Sequence, residues 1–399
     1  MRDSGLQFFA TNRAMETLER IVEDTDKERQ RRIGMERGGY YFIDTHKFMS
    51  DFFATVDGAS MPENALVADS KTAVFDAFLA NPAVGRVVVC VHGFNVKLHH
   101  AITWFRILTD TMRNKGLADG MVLRADDPKL ATAAPGSLTA FIGFSWPSNG
   151  SALAYNRDQA DAVASAGAFD NLVGRIVAYD KKISLLCHSM GNYMACNALA
   201  ALVKETTVPT AMTAESLQKM LQISPQAANI KAKALQTKMR RNVDGQPDAF
   251  LIDRFVMVAP DVERRHVTKS IDQESKRQYV GPFYSALEHT VRETTNIYSR
   301  FDGALNISNI EKKPKDLALK VGDALSSLSF GMLDFLERNP DYKWEMRLGS
   351  SAHPVTAPPN MRSLNATEIA GRPIDHSDHI DVPELAVAIG KALGLEPRA

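Results

Sequence analysis

The sequence predicts an α/β fold, a mostly parallel central sheet flanked by helices. Short β-rich runs alternate with longer helix-compatible stretches along the chain. Several of those runs, Val87-Val88-Val89-Cys90-Val91 among them, are apolar at consecutive positions, as strands covered on both faces must be. No internal repeat and no low-complexity segment interrupts the alternation.

Taken in order, the expected strands are Leu6 to Thr11, Gly39 to Ile43, Arg86 to Val91, Thr139 to Phe144, Ile183 to Cys187, Arg254 to Val258, Asn296 to Ser299 and Met361 to Ala366. Most are followed by a helical pattern, and the last helix is expected over Val382 to Leu393. Two stretches depart from the alternation. Residues 202–251 are polar and include Lys238-Met239-Arg240-Arg241. Residues 306–347 carry an amphipathic pattern, Leu317, Leu319, Val321, Leu325, Leu328, Phe330, Leu333 and Phe335. Both are expected to be insertions, a cap or peripheral cover on a single domain spanning residues 1–399.

Composition narrows the class. In 399 residues, 47 Lys and Arg balance 47 Asp and Glu, leaving no net field to hold a polyanion, so a general nucleic-acid binder is not expected. A hydrophobic share of 45% excludes disorder for most of the chain. The apolar runs are strand-length, far short of the ~20 residues of a membrane helix. Residues 1–10 hold no apolar core of signal-peptide length, and the chain is expected to be cytoplasmic. Cys90, Cys187 and Cys196 show no Cys-x-x-Cys spacing and are expected to be reduced and buried. Sequons at Asn149, Asn306 and Asn365 are read as chance matches.

The strongest chemical signal is Ile183-Ser184-Leu185-Leu186-Cys187-His188-Ser189-Met190-Gly191-Asn192, followed by the helix-compatible Tyr193 to Leu199. A strand that passes through a small-residue turn into a helix is the setting of a nucleophile elbow, with the serine Oγ projecting from the sheet and the next N–H aimed at an oxyanion. The helix onset adds partial positive charge where negative charge would develop. The usual Gly-x-Ser-x-Gly is incomplete, because Cys187 occupies the first glycine position. A buried strand followed by an ordinary serine turn is the competing reading.

A second apolar strand ends in His92-Gly93-Phe94-Asn95. In α/β-hydrolases the loop after such a strand supplies the other oxyanion-hole N–H, so Phe94 and Met190 are the expected donors. His92 is expected to brace this loop. A serine nucleophile also needs a base oriented by a carboxylate. Asp302, just after the strand in Asn296-Ile297-Tyr298-Ser299, is favoured as the acid over Asp261, which follows Arg254 to Val258. His376 is favoured as the base over His379, because the residues between it and Pro383 leave room for a loop before the last helix. His188, adjacent to Ser189, is read as structural or as a pocket wall.

The ordered set Phe8-Phe9-Ala10-Thr11-Asn12-Arg13, His92-Gly93-Phe94-Asn95, Phe144-Ser145-Trp146-Pro147-Ser148 with Gly150, Tyr155 and Asp158 resembles the DUF900 family of α/β-hydrolases. The likeness continues through His188-Ser189-Met190-Gly191-Asn192, Ala259-Pro260-Asp261, Tyr298 to Leu305 and His376-Ser377. The resemblance implies an α/β-hydrolase fold with Ser189 as nucleophile, Asp302 as acid and His376 as base. The chain departs from the family in having Asp378 and His379 where an aromatic pair often follows the histidine, and in the stretch 306–347.

These residues lead to the expectation of a serine hydrolase acting on small-molecule carboxylic esters. A thioesterase, lipase, amidase or acyltransferase would use the same acyl-enzyme apparatus, and a catalytically silent binding module is the reading from another class. No cofactor or metal is expected, and His99-His100 reads as a solvated face. Oligomeric state is not legible in the sequence.

Overall fold

The computed structural model describes residues 5–13, 39–45, 69–94, 96–148, 155–204, 210–243, 250–271, 278–305 and 346–396. Its strands are β1 (Phe8–Thr11), β2 (Tyr41–Asp44), β3 (Val84–Val91), β4 (Met121–Val122), β5 (Leu138–Ser145), β6 (Lys182–His188), β7 (Ile252–Val258), β8 (Lys269–Ile271), β9 (Gln278–Val280), β10 (Val291–Tyr298) and β11 (Met361–Asn365). Nine of them form one sheet in the order β11-β10-β7-β6-β3-β5-β1-β2, with β4 beside β5. Every pairing in it is parallel except β1 with β2 at the edge. β8 and β9 form a separate antiparallel ribbon.

The consecutive apolar residues of β3 serve two cores. Val87, Val89 and Val91 face one, together with Phe75 and Phe78 of helix Asp69–Ala80, Phe169 and Leu172 of helix Tyr155–Ala178, and Met194 of helix Met190–Lys204. Val88 and Cys90 face the other, with Ile102 and Phe105 of helix Leu98–Met112 and Leu385 and Ile389 of helix Pro383–Ala392. Each fully buried aliphatic side chain contributes about 1.5–3 kcal/mol through loss of apolar surface from water. The doubly covered, mostly parallel sheet is therefore the direct consequence of the unbroken Val and Ile runs.

All eight expected strands are present, with shifted ends. The largest shift is in β10, which begins at Val291 rather than Asn296. Its first turns of chain read as polar, yet Arg292 pairs with Asp253, and Glu293 pairs with both Arg254 and Arg362 of the neighbouring strands. Cross-strand ion pairs there stand in for the apolar pattern that marks a central strand. The short β4, β8 and β9 carry no run long enough to register.

Within 202–251 the described residues form helices Ala214–Leu221 and Pro225–Val243. Of the 306–347 stretch only Met346 and Arg347 are described, and both are buried; the amphipathic pattern lies outside the described residues, as do Asn149 and Asn306. Asn365 caps helix Ala366–Ala370 by accepting from the Thr367 N–H. All three cysteines are buried free thiols. Among the described residues, no helix is long and apolar enough to cross a membrane.

Candidate active site

Ser189 follows β6 directly and Met190 opens the next helix, so the serine sits on the strand-to-helix turn. Its φ is +51°, a left-handed backbone that costs a non-glycine residue about 1–3 kcal/mol and persists only when its surroundings hold it. Here they do. The Ser189 N–H donates to Val258 O at 3.0 Å, and its carbonyl accepts from the Asn192 N–H at 3.1 Å, Asn192 Nδ2 at 3.0 Å and the Asp261 N–H at 3.2 Å.

Two glycines let the neighbouring loop close on this turn. A Cβ on Gly191 would stand 2.5 Å from His92 O, and one on Gly93 would stand 2.7 Å from Ser189 Cβ. Cys187, at the position where the pattern has glycine, lies fully buried between Val91 of β3 and Met257 of β7, so the thiol is packed into the sheet rather than the turn.

The loop carrying Phe94 is braced from below. His92 is fully buried, its Nδ1–H donating to Gly93 O at 2.9 Å and its Nε2 accepting from Ser145 Oγ at 2.9 Å. Trp146 stacks on its ring with centroids 5.5 Å apart and donates Nε1–H to His92 O at 2.9 Å. Burial, reinforced by the Arg13 charge, pushes the His92 pKa down to about 3, so the ring stays neutral. Arg13 donates to Ser145 Oγ at 3.0 Å and to the carbonyls of Val96 and Ser148 at 2.9 and 3.3 Å. This gives the Phe8 to Arg13 segment a task that the sequence does not announce, tying the loops after β3 and β5 together.

Asp302 lies just past β10 and is fully buried. Its Oδ1 accepts the Leu305 N–H at 3.0 Å, and its Oδ2 stands 2.8 Å from His376 Nδ1. The His376 loop is fixed to the β10 exit by Ser299 Oγ, which donates to Ile374 O, and by Asp375 Oδ1, which accepts the N–H groups of Gly303 at 3.0 Å and His376 at 2.8 Å. It is fixed to the elbow by His188, whose Nε2–H donates to His376 O at 3.0 Å while the two rings lie 4.7 Å apart. His188 is thus the link between the serine turn and the His376 loop.

Burial works to lower the His376 pKa. The charge and hydrogen bond of Asp302, with further help from Asp261 and Asp375, outweigh it and hold the pKa above its ordinary value. With Nδ1–H committed to Asp302, Nε2 is left with its lone pair to accept a proton. His188 is driven the other way, mainly by burial and then by the adjacent His376, and stays neutral.

The two competing residues are engaged elsewhere. His379 is fully buried with Nδ1 against Asp375 O at 3.1 Å, and burial lowers its pKa. Asp261 is buried in an ion pair with Arg347, Oδ1 to Nε at 3.1 Å, and its Oδ2 accepts the Tyr155 hydroxyl. Arg347 is the residue with no signal in the sequence. It is 1% exposed and also pairs with Glu263.

Among the described residues, no group of three or more His, Cys, Asp or Glu is arranged to hold a metal ion. His99 and His100 are adjacent rings at the start of helix Leu98–Met112; His100 is exposed and His99 half-buried.

A strand turning through serine into a helix, at the carboxyl edge of a parallel sheet covered on both faces, is the architecture of the α/β hydrolases, and that is the class of this protein. The chain belongs to the family described as "Alpha/beta hydrolase of unknown function (DUF900)", whose model matches residues 67–321. It is 37% identical over 385 residues to "Uncharacterized protein alr1448" of Nostoc sp. (strain PCC 7120 / SAG 25.82 / UTEX 2576), covering 95% of this chain and 91% of that protein. No solved structure matches it.

Proposed function

We propose that this protein is a serine hydrolase of small-molecule carboxylic esters, acting as one catalytic domain in the cytoplasm. Ser189 Oγ attacks the acyl carbonyl, and His376 Nε2 takes its proton and returns it to the leaving alcohol. Asp302 holds the imidazole, and the Phe94 and Met190 N–H groups stabilise the tetrahedral oxyanion. Water then hydrolyses the acyl-enzyme by the same route in reverse.

The observation that carries this reading is the 2.8 Å contact between His376 Nδ1 and the buried Asp302 carboxylate, on a loop pinned to the residue before Ser189. An imidazole aligned by a carboxylate beside a strained serine turn is an arrangement suited to nucleophilic acyl transfer. The zero net charge of the chain suits an uncharged ester better than a polyanionic substrate.

The test is covalent labelling by a fluorophosphonate probe together with p-nitrophenyl acetate turnover. Wild-type protein should be labelled on Ser189 and turn over the ester, and Ser189→Ala should lose both, the rate by several orders of magnitude. A folded wild type that neither labels nor hydrolyses supports the silent binding module instead. A series of esters and thioesters of increasing chain length separates esterase from lipase and thioesterase action.

A further inference from the structure

Tyr155, Asp261 and Arg347 form a buried cluster that takes no chemical step in ester hydrolysis by Ser189, His376 and Asp302. Tyr155 donates its hydroxyl to Asp261 Oδ2, and Arg347 reaches both Asp261 Oδ1 at 3.1 Å and the Tyr155 hydroxyl at 3.3 Å. The three lie on separate parts of the chain: the first turn of helix Tyr155–Ala178, the exit of β7, and the segment ahead of Leu348–Ser350. That last segment is stitched across two strand exits, with Gly349 N–H on Pro260 O at 2.9 Å and Ser299 N–H on Gly349 O at 2.9 Å.

The cluster touches both expected oxyanion donors. On one side the Tyr155 ring packs edge-on against the Phe94 ring, with centroids 5.8 Å apart. On the other, the Asp261 N–H donates to Ser189 O at 3.2 Å. The Ser189 carbonyl and the Met190 N–H belong to one planar peptide unit, so anchoring the oxygen sets the direction in which the N–H points. Asn192 anchors the same oxygen through its N–H at 3.1 Å and Nδ2 at 3.0 Å.

We infer that Tyr155, Asp261 and Arg347 are positioning residues that lock the Phe94 and Met190 N–H groups into one fixed oxyanion site. The inference rests on the serine-hydrolase reading. Asp261 holds the Met190 side through its backbone and grips Tyr155 through its carboxylate, and Tyr155 fixes the Phe94 side with its ring. Arg347 places its guanidinium 3.1 Å from the Asp261 carboxylate and so ties the third segment to the other two. A fixed donor pair matters because an oxyanion hole accelerates the reaction only when its dipoles need no reorganisation as charge develops.

The test uses Tyr155→Phe, which keeps the ring on Phe94 but releases Asp261, and Asp261→Asn, which keeps the shape and removes the charge. With p-nitrophenyl acetate, each should lower kcat about ten- to a hundredfold at nearly unchanged KM, less than the roughly 10²–10³ lost with a whole oxyanion donor. Fluorophosphonate labelling of Ser189 should slow in parallel, because the phosphonyl oxygen occupies the same site. Arg347→Lys should recover part of the rate lost in Arg347→Met. Variants that match wild type in kcat and labelling rate, or that lose folding with unchanged kcat per labelled site, would overturn the inference. A wild type that is not labelled at all would instead defeat the serine-hydrolase reading.

Discussion

His376 and Asp302 are joined side chain to side chain, Nδ1 to Oδ2 at 2.8 Å, across 74 residues of chain. Asp302 is fully buried and its second oxygen is held by the Leu305 N–H, so Asp302→Asn preserves shape while removing charge and the preferred tautomer. The expected result is a fall in kcat on the order of 10⁴ with the fold retained, measured by steady-state ester hydrolysis and circular dichroism. A variant with wild-type kcat would reassign the acid.

The pH profile follows from the same contact. Protonated His376 cannot accept the serine proton, and its pKa is raised because Asp302, with Asp261 and Asp375, more than offsets burial, while the neighbouring His188 and His379 stay neutral. The acid limb of kcat/KM should therefore turn over above the ordinary histidine value of about 6.5. In Asp302→Asn the limb should move to lower pH, since the opposing burial is then less compensated. A limb that stays in place would sever His376 from Asp302.

His376→Ala and His379→Ala should separate cleanly. The first removes the proposed base and is expected to abolish turnover. The second removes a fully buried ring bound to the Asp375 carbonyl at 3.1 Å, which should destabilise the protein by about 1–3 kcal/mol and leave kcat within a few-fold. Thermal melts and rates measured well below Tm distinguish the two.

Gly93→Ala tests the closeness of the two loops. The added Cβ would stand 2.7 Å from Ser189 Cβ and 2.9 Å from His188 Nδ1, so the Phe94 loop must move away from the serine. Overpacking should cost about 1–3 kcal/mol of stability. The displaced donor should lower kcat by roughly 10²–10³. Unchanged kinetics would place the Phe94 loop outside the reaction.

The fold was legible because doubly buried strands write themselves as apolar runs, and β3 and β6 are such runs. Where ion pairs replace apolar residues, as at Arg292 and Glu293, the reading lost five residues of strand. Among the candidate site residues, those on strand exits, Ser189, Asp302 and the Gly93 loop, could be named from their local setting. The tie between Arg13 and Ser145, and that between Arg347 and Asp261, could not be read as physics, because each joins segments far apart in the chain with no local pattern at either end. His188 is read from the sequence as structural or as a pocket wall, but the particular contact it makes is not legible there for a related reason. Its partner is a backbone carbonyl, which leaves no trace in the identity of the residue that supplies it.

That last contact joins residues 188 apart in the chain. At a synthesis rate of about 5–20 residues per second, the elbow leaves the ribosome roughly 10–40 s before its histidine counterpart. The central strands β3, β5 and β6 are made before the residues that complete the His376 loop, the Asp302 contact and the pairing of β11 with β10. On the proposed mechanism, birth order thus gives the molecule an interval in which Ser189 is present without the histidine proposed to activate it.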